Sequence, residues 1–108
     1  MSETIGEALN QLFVTIESRR GADTTKSYSA SLLLAGPKKC AKKFGEEAVE
    51  LAIAIAAENK AEIAQEAADV LFHFAAAIIA SGVDAKEISK ILAKRRGVSG
   101  HEEKASRS

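Results

Sequence analysis

Two short acidic patterns hold the residues with the clearest capacity for chemistry in this chain. "EEAVE" puts Glu46, Glu47 and Glu50 within about one helical turn, and "EAAD" puts Glu66 and Asp69 three residues apart. Carboxylates at such spacing share a helix face and repel, so protons or cations must offset them. Oxygen donors without cysteine suit Mg²⁺ or Mn²⁺, and Mg²⁺ commonly divides its shell between carboxylates, water and a substrate's phosphates. Just before the first pattern stand Lys38, Lys39, Lys42 and Lys43. There the free N–H groups and the positive dipole end of a helix already favour anions. Carboxylates for a metal beside lysines for phosphate point to a polyphosphate substrate.

These side chains converge only if the elements bearing them are neighbours. Ile5, Leu9, Leu12, Phe13 and Ile16 recur at helical spacing, and Thr4 with Glu7 forms a capping box, which predicts a helix over Thr4 to Ser18. Periodicity fails from Gly21 to Pro37, so a long loop is expected, with a short helical turn around Ala30 to Leu34. A second helix is predicted over Lys38 to Glu58, with Pro37 at its entry. Asn59 and Glu62 cap a third, which stops at Ser81-Gly82. Asp84 and Glu87 form a further capping box, and Val83 and Ile88 occupy the positions of a hydrophobic staple, for a fourth helix ending near Arg95-Arg96-Gly97. The fold class is therefore all-α, a four- to five-helix antiparallel bundle over residues 1–96 with a polar tail over 97–108.

At about 100° per residue, Lys39, Lys43, Glu46, Glu47 and Glu50 fall in one sector of the second helix, with apolar residues on both flanks. Glu62, Glu66, Asp69 and His73 form a narrower stripe on the third. The short connection at Asn59-Lys60 makes these two helices antiparallel neighbours, so facing strips would bring Glu47, Glu50, Glu66 and Asp69 together as metal ligands. A charged helix face in solvent also produces E-E-x-x-E, but two acidic strips on consecutive helices, each beside apolar surface, favour the metal site. His73, one turn beyond Asp69, could orient Asp69 or contact substrate, although a structural hydrogen bond is the commoner use. Cys40 reads as a small buried hydrophobe, and Arg19, Arg20, Arg95 and Arg96 as cations at helix C-termini.

Composition sets the outer bounds. The 108 residues suit one domain, and 46% hydrophobic content with only 5% aromatic suits close-packed helices. Lys+Arg and Asp+Glu balance at 15 each, which leaves no global field to attract nucleic acid or an anionic membrane. A single cysteine excludes an internal disulfide. The N-terminus lacks a signal-peptide pattern, and the apolar run Val70 to Ala80 is shorter than the roughly 20 residues that cross a bilayer, so a cytoplasmic protein is expected. A chain this small with apolar residues on several helix faces is expected to bury some of them in a homodimer.

E-x-x-E followed by E-x-x-D resembles the all-α nucleotide pyrophosphohydrolases of the MazG type. "SYSASLLLAGPKKCAKKFGEEAVELAIA", "EAADVLFHF" and "GVSGHEEKASR" are similar, over nearly the whole chain, to the phosphoribosyl-ATP pyrophosphohydrolase family. That resemblance implies a helical, usually dimeric enzyme that uses Mg²⁺ to cleave phosphoribosyl-ATP between its α and β phosphates. The products would be phosphoribosyl-AMP and pyrophosphate, in the second step of histidine biosynthesis. It carries metal binding to Glu47, Glu50, Glu66 and Asp69, metal binding or water orientation to Glu46, and phosphate binding to the basic pair Lys42 and Lys43; in the mechanism this suggests, Glu46 is the candidate catalytic base or water-orienting group. Phe72 and Ser29 depart from the family's commoner tyrosine and threonine, and neither is a proposed ligand. The competing readings are a general nucleoside triphosphate pyrophosphohydrolase and a non-catalytic helical dimerisation module. The loop holding Tyr28 is a candidate cover for the substrate, but no spacing rule selects adenine.

Overall fold

The computed structural model describes residues 2–97 and Lys104. The tail expected over 97–108 therefore lies almost wholly outside the described residues. Among the described residues five helices follow one another over 5–95: α1 (Ile5–Ser18), α2 (Tyr28–Ala35), α3 (Pro37–Ala56), α4 (Lys60–Ala80) and α5 (Ala85–Arg95). No strand occurs among the described residues, so the all-α expectation holds.

Local chemistry explains most boundaries. At α1 the Thr4 hydroxyl accepts from the Glu7 N–H at 3.1 Å, and the Glu7 carboxylate accepts from the Thr4 N–H at 2.8 Å, satisfying donors that helix geometry leaves free. Asn59 caps α4 by accepting from the Glu62 N–H at 3.2 Å. Asp84 caps α5 one residue earlier than the spacing implies, accepting from Lys86 N–H rather than Glu87 N–H, at 2.9 Å.

α3 and α4 are joined by a three-residue turn, and here the boundary differs from expectation: α3 ends at Ala56, two residues before Glu58. Glu58 enters the left-handed region at φ 57°. This lets the Asn59 N–H reach the Ala54 carbonyl at 3.3 Å and the Glu58 N–H the Ile55 carbonyl at 3.0 Å. That pair of bonds is the Schellman termination, which usually employs glycine at this position. α4 ends with the same pair, Val83 to Ile78 and Gly82 to Ile79, and there the left-handed residue is Gly82 at φ 75°.

The stretch expected to be a loop with one turn is instead the eight-residue helix α2, capped by the Ser27 hydroxyl, which accepts from the Ala30 N–H at 3.1 Å. Its apolar residues do not share one face: Ala30 and Leu32 are buried while Leu34 is exposed. A helix without a one-sided apolar stripe leaves no period to read, and its packing on α3 and α4 stabilises it.

The α3–α4 hairpin is the framework, with α1 laid on α4 and α2 against both. Ile16 from α1, Leu32 from α2, Cys40 from α3 and Ala75 and Ala76 from α4 form the buried core. Alanines let the helices approach closely, and Phe13 meets Phe74 edge-on, with ring centroids 6.2 Å apart. α4 is 21 residues long and, by length and composition alone, apolar enough to cross a membrane. It nevertheless packs on α1, α2 and α3 and bears Glu62, Glu66, Asp69 and His73. α5 buries none of its residues, and its Ile91 and Leu92 are exposed.

Candidate active site

The antiparallel hairpin turns the two acidic strips toward each other. Glu47 of α3 and Glu66 and Asp69 of α4 each offer a carboxylate oxygen, and these oxygens lie within 4.8 Å of one another. Glu50 adjoins the same group: its carboxyl raises the pKa of both Glu47 and Glu66. In each case burial is the largest cause and the neighbouring carboxylates add to it, while at Glu47 the nearby His73 works in the opposite direction. The four acids expected from spacing thus form one electrostatic cluster.

The remaining expected residues divide. Glu46 points to Lys43, with Nζ to Oε2 at 3.4 Å, and lies outside the three-carboxylate group. Its carboxylate is the main cause of a raised pKa at Lys43, with smaller contributions from Tyr28 and Glu47. Lys42 is exposed on the first turns of α3.

His73 is buried, at 7% exposure, and both ring nitrogens are engaged. Nδ1 lies 2.9 Å from the backbone carbonyl of Asp69, and Nε2 lies 3.1 Å from the Tyr28 hydroxyl. A carbonyl can only accept, so Nδ1 carries the proton; in the neutral ring Nε2 is then an acceptor and Tyr28 donates to it. His73 therefore holds the backbone of the Asp69 turn, not the Asp69 carboxylate. Tyr28 is anticipated from sequence only as part of a loop covering the substrate; its contact with His73 is not legible there, because its segment shows no helical period.

Two features of these residues fit a hard divalent cation. Glu66 Oε2 is buried without a hydrogen-bond partner among the described residues. Its neighbours are other carboxylates, which could satisfy it only by sharing a proton, whereas a cation would satisfy all of them at once. The donor set is also entirely oxygen, the chemistry that Mg²⁺ and Mn²⁺ prefer. A cleft of about 630 Å³ between α1 and the α4–α5 turn is lined by none of these acids. Charge, not concavity, locates the site.

Comparison with known proteins gives a consistent picture. A profile of the family described as "Phosphoribosyl-ATP pyrophosphohydrolase" matches residues 9–96. A phosphoribosyl-ATP pyrophosphatase of Ruegeria sp. (strain TM1040) is 48% identical over 99 residues, covering 92% of this chain and 94% of the relative. One from Rhodobacter capsulatus is 47% identical over 100 residues, covering 93% and 97%. One from Dinoroseobacter shibae is 48% identical over 99 residues, covering 92% and 97%.

Proposed function

The chain belongs to the phosphoribosyl-ATP pyrophosphohydrolase family, and on that premise we propose that it hydrolyses the α–β phosphoanhydride of phosphoribosyl-ATP, releasing phosphoribosyl-AMP and pyrophosphate for histidine biosynthesis. The observation that supports this reading most directly is the meeting of Glu47, Glu66 and Asp69, with Oε2 of Glu66 buried and without a hydrogen-bond partner among the described residues. Glu47, Glu50, Glu66 and Asp69 are the proposed ligands of Mg²⁺, with Mn²⁺ as a substitute. When bound, the ion supplies Lewis-acid polarisation and neutralises charge on the phosphates.

The chain's own groups do the rest. Glu46 accepts a proton from the attacking water as the new O–P bond forms and the bridging P–O bond breaks, with Lys43 at 3.4 Å holding its carboxylate in place. Lys42 and Lys43, on the first turns of α3, offset the charge that develops on departing pyrophosphate. His73 fixes the backbone of the turn bearing Asp69.

Pyrophosphate release by the purified protein, with and without Mg²⁺, tests this reading across phosphoribosyl-ATP, ATP and other nucleoside triphosphates. Mg²⁺-dependent preference for phosphoribosyl-ATP is the expected result. Equal rates across the panel would replace it with a broad nucleotide pyrophosphohydrolase. No release from any nucleotide, despite thermal stabilisation by Mg²⁺, would replace it with a non-catalytic module. Glu50→Gln is expected to lower turnover by about 100-fold or more with the helices intact.

The partnership and location follow the same reading. Val49, Ile53 and Ile55 of α3 and Ile91 and Leu92 of α5 are exposed, with Ile53 at 64%. Apolar surface on this scale in so small a chain supports a homodimer, and a biosynthetic enzyme of this family would act in the cytoplasm. Light scattering at micromolar concentration should return twice the mass of 11.4 kDa.

A further inference from the structure

The catalytic groups account for the phosphates of the substrate but leave its base without a partner. One aromatic side chain beside the site is held in a way that the hydrolysis does not require. Tyr28 is the first residue of α2 and is 51% exposed. One face stacks on Phe72, with centroids 5.9 Å apart and planes 15° from parallel. His73 meets it edge-on at 5.8 Å, and the hydroxyl is tied to the buried His73 Nε2 at 3.1 Å. His73 is itself tied to the Asp69 carbonyl at 2.9 Å. The ring is thus constrained on one face, at one edge and at its polar end, while the residue as a whole stays about half exposed.

Core packing does not explain that arrangement. Both nitrogens of the buried His73 are satisfied, so the anchor is sound, yet the tyrosine it holds stays half exposed. That arrangement has a use if the exposed part of the ring meets a ligand, because a ring fixed in advance loses little conformational entropy on binding. Aromatic faces bind nucleic-acid bases by stacking, and a tyrosine presents such a face with few torsions to freeze. Position agrees: Tyr28 lies close enough to Lys43 to contribute to its raised pKa, and its anchor sits one turn from Asp69. The ring is thus linked through His73 to the turn that bears Asp69.

We propose that Tyr28 is a specificity-determining residue, a preorganised platform on whose open face the substrate's adenine base stacks, with Phe72 supporting the ring from behind and His73 fixing its orientation. This rests on the functional reading above. It adds the base contact that neither the acids nor the lysines provide.

Tyr28 is the only tyrosine and the chain has no tryptophan, so intrinsic fluorescence reports on this ring alone. Phosphoribosyl-AMP should quench that emission saturably, after correction for its absorbance with free N-acetyltyrosinamide. Pyrophosphate and ribose 5-phosphate, which lack a base, should leave it nearly unchanged. Base-independent emission at concentrations where calorimetry shows the site filled by phosphoribosyl-AMP would overturn the platform.

Kinetics supply a second, independent reading. Tyr28→Leu keeps an apolar contact for Phe72 but loses the ring, and should raise KM for phosphoribosyl-ATP by about 5- to 150-fold, the span of base–aromatic stacking. kcat should change by less than about threefold, since uniform binding is what is lost. Tyr28→Phe keeps the ring without its anchor and should raise KM less, and Tyr28→Trp should restore most of it. A wild-type KM in Tyr28→Leu, or equal losses of kcat in the Leu and Phe variants, would refute the platform, the latter by assigning the hydroxyl to the chemistry through His73. If the wild type released no pyrophosphate, the functional reading would fail, yet quenching by phosphoribosyl-AMP would still decide the role of the ring.

Discussion

Glu58→Gly should make this protein more stable without altering its activity. Glu58 is an exposed L-residue at φ 57°, the position that ends α3 and aims α4 back along it. Clash between Cβ and the following carbonyl in that region costs about 1–2 kcal/mol. Glycine removes the clash, but its freer unfolded chain returns about 0.5–1 kcal/mol of that gain. The expected net is about 0.5–1 kcal/mol, which for a domain of about 100 residues raises Tm by about 2–8 °C. Because glycine adopts the same φ, the two bonds from Asn59 to Ala54 and Glu58 to Ile55 persist, and with them the register of the two acidic strips. Circular dichroism at 222 nm, with protein concentration held constant against any dimer linkage, measures the shift. Glu58→Gln separates the charge from the backbone and should shift Tm little. An unchanged or lower Tm in Glu58→Gly, or an equal gain in Glu58→Gln, would refute the strain argument.

Glu66→Gln should weaken Mn²⁺ binding, followed by calorimetry, by about tenfold or more, while the metal-free protein melts no lower, because one of several mutually repelling charges is gone. Unaltered Mn²⁺ binding would remove Glu66 from the ligand set. Glu7 is held below its ordinary value, first by the Thr4 N–H and then by the Thr4 hydroxyl. A carboxylate with a depressed folded pKa stabilises above its unfolded pKa, and that contribution is lost as pH falls through the folded value. In a ¹³C titration Glu7 should therefore titrate below the ordinary 4.5, and Thr4→Ala, which removes the hydroxyl but keeps the N–H, should raise it only part of the way; a wild-type Glu7 at the ordinary value would mean that the capping box is open in solution. Cys40 is buried, its Sγ–H donates to the Leu32 carbonyl at 3.3 Å, and burial pushes its thiol pKa up. At pH 8 its reaction with a thiol reagent should be slower than in denaturant by about 100-fold or more, and similar rates would show that α2 opens readily.

The sequence by itself determined the elements whose signals are local. The reciprocal cap of Thr4 and Glu7, the Asn59 cap and the apolar periods of α1, α3 and α4 sit within a few residues of one another, so backbone chemistry alone locates those helices. The i, i+3 spacing of the acids, with the short turn between their helices, was enough to anticipate that Glu47, Glu66 and Asp69 meet. Tertiary structure decided what depends on contacts distant in the chain. α2 is stabilised by burial of Ala30 and Leu32 rather than by a readable stripe, and the end of α3 is set by a left-handed glutamate where the usual glycine signal is missing. The bond from Tyr28 to His73 spans 45 positions. No local pattern encodes such a contact, because it exists only once α2 has packed against the hairpin, and only then is a residue expected in a loop brought against His73.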